Sequence, residues 1–208
     1  MIRGPLARTA NGIHGLKAFE QGVCVGPIIE TERLRLRPYR DTDCADILAY
    51  SSDSDFWVVR NLGWPVSEEG VREYWEGQKD VDPTADPKWL SLVVELKAEG
   101  KIIGNVGFGV SRVGDHRQGS VGWLLGMQYQ GRGLATEAVR ALVTYCFEQL
   151  GFHRVSARTG HDNTRSWKLM ERLGMRREAH FRQSHLVEDQ WRDEYVYAVL
   201  ADEWNRGP

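Results

Sequence analysis

Several features that assign a sequence to a special class of protein are scarce here. The 208 residues include only three cysteines, and Cys24, Cys44 and Cys146 lie far apart in the chain. No two of them have metal-ligand spacing, and their number and positions do not suggest a disulfide framework. We therefore expect neither a disulfide-stapled domain nor a cysteine metal site, and this cysteine usage fits a reducing cytosol.

Long apolar runs and an excess of positive charge are also missing. No segment approaches the ~20 apolar residues of a bilayer-spanning helix, and the first residues contain no continuous apolar stretch typical of a secretory signal. The formal net charge is −2, whereas a surface dedicated to nucleic acid needs a basic excess. We expect a cytoplasmic protein that binds neither membranes nor nucleic acid.

Metal-ligand patterns are equally scarce. Asp80, Asp82 and Asp86 lack the glycine and the terminal glutamate of a calcium loop. The pair His161-Asp162 has no second histidine at ligand spacing. No metal site is predicted.

Glycine and proline are concentrated at the start of the chain. Seven of the first 27 residues are glycine or proline, and such a density of breakers without periodicity is typical of an extension. The remainder is long enough for one domain with a substantial core. We predict an N-terminal extension over residues 1–27 and one α/β domain over residues 28–208.

Hydrophobic periodicity predicts the order of the elements. Leu34 and Leu36 alternate with arginines 33, 35 and 37, which indicates a strand whose arginine face is solvated at a sheet edge. Further strands are predicted at 89–96, 102–110, 120–125, 154–158, 176–181 and 194–200. Helices are predicted at 43–50, 68–77, 134–150 and 164–173. This order predicts one α/β domain with a mixed sheet.

The segment from Gln130 to Ala138 has the features of an anion site. Gly131 and Gly133 permit a tight turn with little side chain in the way of a ligand. The turn leads into a helix whose first N–H groups lack partners and carry partial positive charge. Such a helix start suits a diphosphate, to which Arg132 could add a charge-assisted contact.

The glycine turn has a simpler interpretation as a plain strand-to-helix connection. Other phosphate motifs fit poorly, because no Gly-Lys-Ser/Thr follows the glycines and the Gly-x-Gly-x-x-Gly pattern is missing. The wider sequence context decides between these interpretations.

Three motifs resemble one family. Gln130-x-x-Gly133-x-Ala135 resembles the Gln/Arg-x-x-Gly-x-Gly/Ala signature of the GNAT superfamily of N-acetyltransferases. The surrounding stretch 122–138 is similar to the branch that acetylates ribosomal-protein N-termini. Further matches are Asn163-x-x-Ser166 followed by residues 171–175, and the opening segment 30–37. The likeness covers about residues 28 to 204, and the three motifs follow one another in the order that is typical of the family.

This resemblance implies a single GNAT-like domain that uses acetyl-CoA as co-substrate. Its sheet is expected to be mostly antiparallel, with a splayed central strand pair that admits the pantetheine arm. Backbone groups of Leu124, Leu125 and Met127 would hydrogen-bond that arm. Asn163 would contact the arm too. Its other possible role, as the N-cap of the helix predicted at 164–173, has equal physical support. The remaining cofactor contacts are expected from Gln130, Gly131, Arg132, Gly133, Leu134, Ala135 and Thr136.

The catalytic groups implied by the resemblance are less regular. Many members carry a tyrosine acid about one turn after Ser166, but Met170 occupies that position here. Ser166 is therefore the candidate acid or donor, and its alternative role is a small residue packed under the cofactor.

The general base is also open, because many members have glutamate where this chain has Ser120. Asp193 is the candidate, and an ion pair with Arg192 is its alternative. Glu95, His116 and Glu194 are also candidates. A water-mediated route without a dedicated base remains open.

The predicted function is acetyl transfer from acetyl-CoA to a primary amine by direct attack in a ternary complex. The acceptor would be a protein N-terminus or a small amine, and a homodimer is common in the family. Two alternatives stay open: an acyl-CoA-binding module with little turnover, and an unrelated nucleotide-binding domain. Tryptophans 57, 64, 75 and 89 are expected in the region that walls the acceptor cleft, where packing is their alternative role.

Overall fold

The computed structural model of the chain describes residues 26–51, 67–79, 81–82, 89–113, 116–187 and 189–204. The strands within these ranges are β1 Ile29–Glu30, β2 Leu34–Arg37, β3 Trp89–Leu96, β4 Lys101–Val113, β5 His116–Leu125, β6 Phe152–Gly160, β7 Arg176–Val187 and β8 Gln190–Leu200. The helices are α1 Cys44–Ser51, α2 Glu68–Glu76, α3 Leu134–Glu148, α4 Thr164–Arg172 and α5 Ala201–Trp204. Short 3-10 segments cover Asp41–Asp43 and Met127–Tyr129.

The strands pair in one sheet with the order β1-β2-β3-β4-β5-β6-β8-β7. Neighbouring strands are antiparallel except β5 and β6, which are parallel. Pairing between these two ends at Ser120 and Ser156, although β5 continues to Leu125 and β6 to Gly160. This confirms the predicted mixed sheet with a splayed central strand pair.

Helices cover both faces of the sheet. On the face that we call the α3–α4 face, a large apolar cluster includes Leu142 of α3, Met170 of α4 and Val121 of β5. On the opposite face, the α1–α2 face, a smaller cluster joins Ile47 of α1 and Trp75 of α2 to strand residues of the sheet. The β5–β6 gap therefore lies between two separately packed layers.

The helix boundaries follow local sequence signals. Ser67 accepts a hydrogen bond from Gly70 N and so caps the start of α2. Gly151 and Gly174, just beyond α3 and α4, adopt left-handed φ values of 66° and 78°, the conformation in which helices commonly end. The predicted helices therefore agree with the structure to within one or two residues.

The predicted solvated arginine face of β2 is wrong for one of its members. Arg37 is only 4% exposed, and its guanidinium donates to both Asp43 oxygens (2.7 and 2.9 Å) and to Glu95 (2.6 Å). Arg35 also contacts Glu95, at 3.2 Å. β1 pairs outside β2, so β2 is not an edge strand.

Some predictions fall on residues that the structure does not describe. Trp57 and Trp64 lie outside the described residues, as does the extension up to residue 25. Trp75 is a buried packing residue, 1% exposed. No helix in the described ranges is long and apolar enough to span a bilayer.

Candidate functional site

A cleft of about 890 Å³ opens where β5 and β6 separate. Three segments line it: the end of β5, the turn that leads into α3, and the outer surface of α4. The cofactor residues expected from the sequence line it with one exception, namely Leu124, Leu125, Met127, Gln130, Gly131, Gly133, Leu134, Ala135, Thr136 and Asn163. The tertiary structure thus brings two of the three family-like motifs, the glycine turn and the start of α4, to one cavity.

The glycine turn has the backbone conformation that an anion site needs. Gly131 and Gly133 have left-handed φ values of 76° and 78°, which side chains other than glycine adopt with strain. The first hydrogen bond of α3 runs from Glu137 N to Gly133 O, at 3.1 Å. The N-cap residue is Gly133, which has no side chain to cap the helix, so the first N–H groups of α3 lie at the cleft mouth without an intrahelical partner.

The turn is fixed by the segment that opens the domain. Glu137 of α3 accepts hydrogen bonds from Thr31 Oγ1 (2.6 Å), Arg33 N (2.9 Å) and Arg33 Nε (2.6 Å). Arg33 Nη1 also donates to the carbonyl of Arg132 at 3.0 Å. Burial would raise the pKa of Glu137, but the hydrogen bonds from Thr31 and Arg33 outweigh it and lower that pKa. We call Thr31, Arg33 and Glu137 the turn lock; no such role was predicted for Arg33.

Gln130 links the strand to the next helix. Its Nε2 donates to the carbonyl of Leu125 at 2.8 Å, and its Oε1 accepts from Arg165 Nη1 at 2.8 Å. The signature glutamine therefore holds the end of β5 against α4. This contact engages the carbonyl of Leu125, one of the three residues whose backbone groups were expected to bind the pantetheine arm.

Three cations on α4 were missed by the sequence analysis. Arg165, Lys168 and Arg172 all line the cleft, and Arg172 approaches Thr136 Oγ1 at 3.5 Å. Their spacing of three and four residues places them on one side of a helix, away from the buried Met170. That spacing was readable in the sequence, but it acquires meaning only when α4 is known to face the glycine turn.

The start of α4 carries the second motif. Asn163 Oδ1 accepts from Ser166 N at 3.2 Å, so Asn163 is the N-cap of this helix. Ser166 is half-buried and lines the cleft, and within the described part of the chain no hydrogen bond from its hydroxyl is found. Met170, in the place of the usual tyrosine, is fully buried in the core.

Arg132 and Asp193 are not among the residues that line the cleft. The Arg132 guanidinium lies over the Tyr129 ring, 6.0 Å from its centroid. Asp193 accepts from Gln183 N at 2.9 Å and from His180 Nε2 at 2.6 Å. These bonds, the one from Gln183 first, lower the pKa of Asp193.

A carboxylate with a lowered pKa is a weaker proton acceptor. Within the described residues Arg192 approaches Asp162 at 3.6 Å rather than Asp193, so the predicted ion pair is not formed. The catalytic role of Asp193 stays a prediction.

The other base candidates are held elsewhere. Glu95 is bound by Arg35 and Arg37, and Glu194 is paired with Arg158 at 3.1 Å. His116 begins β5, at the end opposite the gap. Ser120 lies at the last paired position before the strands separate.

Comparison with known proteins finds similarity to acetyltransferases. The family model described as an acetyltransferase (GNAT) domain matches residues 33–176. The [ribosomal protein uS5]-alanine N-acetyltransferase of Escherichia coli (strain K12) is 32% identical over 195 residues, covering 86% of this chain and 93% of that protein.

Two solved structures share the fold. An acetyltransferase (GNAT family) from Bacillus anthracis aligns with a TM-score of 0.72 and 31% identity, covering 85% of this chain and 99% of that one. Mycobacterium smegmatis RimJ, solved in complex with CoA-disulfide, aligns with a TM-score of 0.70 and 23% identity, covering 84% and 85%.

Proposed function

This chain belongs to the GNAT family of acetyltransferases, and on that premise we propose that it moves an acetyl group from acetyl-CoA to a primary amine by direct attack in a ternary complex. The observation that supports this most is the glycine turn. Two left-handed glycines and an uncapped helix start stand at the mouth of the cleft. Backbone N–H groups in this arrangement form a binding site suited to a diphosphate.

The cofactor occupies the cleft in this proposal. The diphosphate lies on the N–H groups from Gly131 to Thr136, with Gln130 holding the turn against β5. The pantetheine arm runs into the β5–β6 gap along Leu124, Leu125 and Met127, and Asn163 approaches it from α4. The cations of α4 supply further charge for the phosphates, a role in which Arg132 would assist from outside the cleft lining. The CoA-bound RimJ structure has the same fold.

The chemistry requires two proton movements. The acceptor amine has a pKa of ~8 in water if it is a protein N-terminus and ~10 if it is a small alkyl amine, so it must lose a proton before it attacks the thioester carbonyl. A backbone N–H near Leu125 stabilises the oxyanion of the tetrahedral intermediate. Collapse breaks the carbon–sulfur bond, and Ser166 donates a hydrogen bond to the leaving thiolate, or passes it a proton that the serine regains from the nitrogen of the intermediate. Water relays the amine proton, or Asp193 receives it.

We infer that a protein N-terminus is the first acceptor to test. The support is the E. coli relative, whose name specifies an alanine of a ribosomal protein as its target. Small primary amines are the second class.

The test has a binding step and a turnover step. Isothermal titration with acetyl-CoA should give a dissociation constant in the micromolar range or below, and a thiol-release assay with alanine-starting peptides and small amines should show turnover. No binding of acetyl-CoA would remove the cofactor assignment. Binding without thiol release from any acceptor would leave a binding module in its place.

A further inference from the structure

The cofactor cleft and the α1–α2 face share a residue. Leu124 lines the cleft and also belongs to the apolar cluster on the α1–α2 face. Met127 lines the cleft and packs against the same cluster. The end of the cleft therefore reaches the opposite side of the sheet from α3 and α4.

Asn105 lies beside this point. In β4 it is directly opposite Leu124 of β5 and Val93 of β3, at the ~5 Å spacing of facing residues in antiparallel strands. Both neighbours belong to the α1–α2 cluster, so the Asn105 side chain lies on that face. It is 7% exposed, and its Oδ1 has no hydrogen-bond partner in the described part of the chain.

An unpartnered buried amide oxygen is unfavourable for folding, because it has lost its hydrogen bonds to water. Oδ1 can only accept hydrogen bonds. Whatever satisfies it must therefore bring an N–H or O–H donor.

Trp89 adds an aromatic wall on the same face. Its ring lies against Gly107 and Gly122, where an added Cβ would stand 2.6 and 3.2 Å from ring atoms. Gly107 is two residues beyond Asn105 on β4, or ~7 Å along the strand. Trp89 Nε1 donates to Ser91 Oγ at 3.1 Å, and Ser91 Oγ lies 2.8 Å from the Tyr74 hydroxyl. The indole is thus fixed, yet it remains 39% exposed.

We propose that Asn105 Oδ1 receives a hydrogen bond from the acceptor's attacking amine, and that the Trp89 ring packs against the apolar part of the acceptor next to that amine. The acceptor class is then an uncharged primary amine on an apolar or amphipathic scaffold, such as a peptide N-terminus with a small apolar first residue. This inference rests on the proposed function, since it places the amine at the end of the acetyl-CoA cleft.

The surroundings favour a neutral amine. Asn105 itself is only 7% exposed, and burial raises the pKa of both Tyr50 and Tyr74 on the same face, so a group bound at Asn105 would be largely shielded from water. Such a site disfavours an ammonium ion and so promotes the nucleophilic form of the amine. A neutral amide oxygen can hold that form through its N–H without needing a charge.

The test compares Asn105→Val with Ser111→Val, a control on the exposed part of the same strand. The probes are acetyl-CoA and a hexapeptide with an N-terminal alanine. For Asn105→Val the peptide KM should rise about tenfold, the worth of one hydrogen bond. The dissociation constant for acetyl-CoA should stay within twofold, and the unfolding midpoint should not fall. Ser111→Val should leave all three values unchanged.

A structural asparagine would behave differently. If Asn105→Val kept the wild-type peptide KM, whether or not its stability fell, the inference would be wrong. Should that variant not fold, Asn105→Ser gives the same readout, because its hydroxyl is too short to reach the amine. Trp89→Ala should also raise the peptide KM, and Trp89→Phe should restore most of the loss.

The same assays distinguish a failure of the proposed acetyl transfer from a failure of the Asn105 assignment. If the wild-type chain released no thiol with any peptide or amine, both proposals would fall. If the wild type turned over and Asn105→Val matched it, only the acceptor assignment would fall.

Discussion

The two faces of the sheet meet at the β5–β6 gap, and they are built by different means. The α3–α4 side of the cleft is formed by backbone groups and cations. These are two glycines in the left-handed conformation, a helix start without a side-chain cap at its N-cap glycine, and three basic side chains. The α1–α2 face uses buried side chains: the Arg37 ion pairs, stacked aromatic rings and the amide of Asn105. A backbone-made site needs a fixed turn, whereas a side-chain site depends on which residues happen to pack there.

The largest expected effect is on the stability of the α1–α2 face. Arg37→Leu would leave Asp43 and Glu95 buried without their cation, a change that costs about 3–5 kcal/mol in comparable sites. Urea unfolding should show this loss, while the dissociation constant for acetyl-CoA of the folded fraction stays near wild type. Arg35→Gln, at a more exposed position, is the control and should change stability little. A large loss of acetyl-CoA affinity in Arg37→Leu would show that the two faces are coupled.

The next effect concerns the backbone-made site. Thr136→Glu places a carboxylate at the start of α3, where the helix dipole tolerates it but a diphosphate is repelled. Acetyl-CoA affinity should fall on the order of 100-fold, or about 2.7 kcal/mol. Thr136→Gln, of similar size without charge, should change it only a few-fold by isothermal titration. Equal effects of the two variants would mean that bulk rather than charge matters there.

Gly133 is a less clean position for that test. Its φ of 78° strains any side chain, so Gly133→Val would disturb the turn itself as well as the ligand. A loss of binding in that variant would combine both causes.

A smaller effect is expected at the turn lock. Glu137→Gln should cost roughly 1–2 kcal/mol of stability near neutral pH, because three hydrogen bonds lose their charged acceptor. The pKa of Glu137 is lowered from its ordinary 4.5. Its contribution is therefore present above that value and is lost as the pH falls through the folded-state pKa. The difference between the urea unfolding curves of wild type and Glu137→Gln should begin to shrink below about pH 4.5 and should vanish only below the folded-state pKa. A difference that persisted in acid would exclude the carboxylate as its source.

The smallest effect tests the cations of α4. Lys168→Gln should weaken acetyl-CoA binding about threefold at low salt, with the difference shrinking as ionic strength rises. Lys101→Gln, at the exposed start of β4, is the control and should show no such dependence. A salt-independent loss would indicate that Lys168 acts by packing instead of by charge.

Much of the fold was predictable because it follows from local patterns. The alternation of β2, the periodicity of α3 and the glycines after α3 and α4 placed the elements, and the confirmed sheet architecture follows from their order. The helix-capping role of Asn163 also depends only on its neighbours. The solvated arginine face failed because burial of Arg37 depends on Glu95, 58 residues away.

The sequence by itself determined the elements and the glycine turn, since backbone conformation and helix ends are set by residues close in the chain. Only the tertiary structure decided that Arg33 locks this turn and that Arg165, Lys168 and Arg172 face it. It also decided that Asn105 Oδ1, beside Leu124, finds no hydrogen-bond partner among the described residues. Each of these depends on which distant segments meet. A contact between residues that are far apart in the chain produces no periodicity or spacing by which the sequence would reveal it.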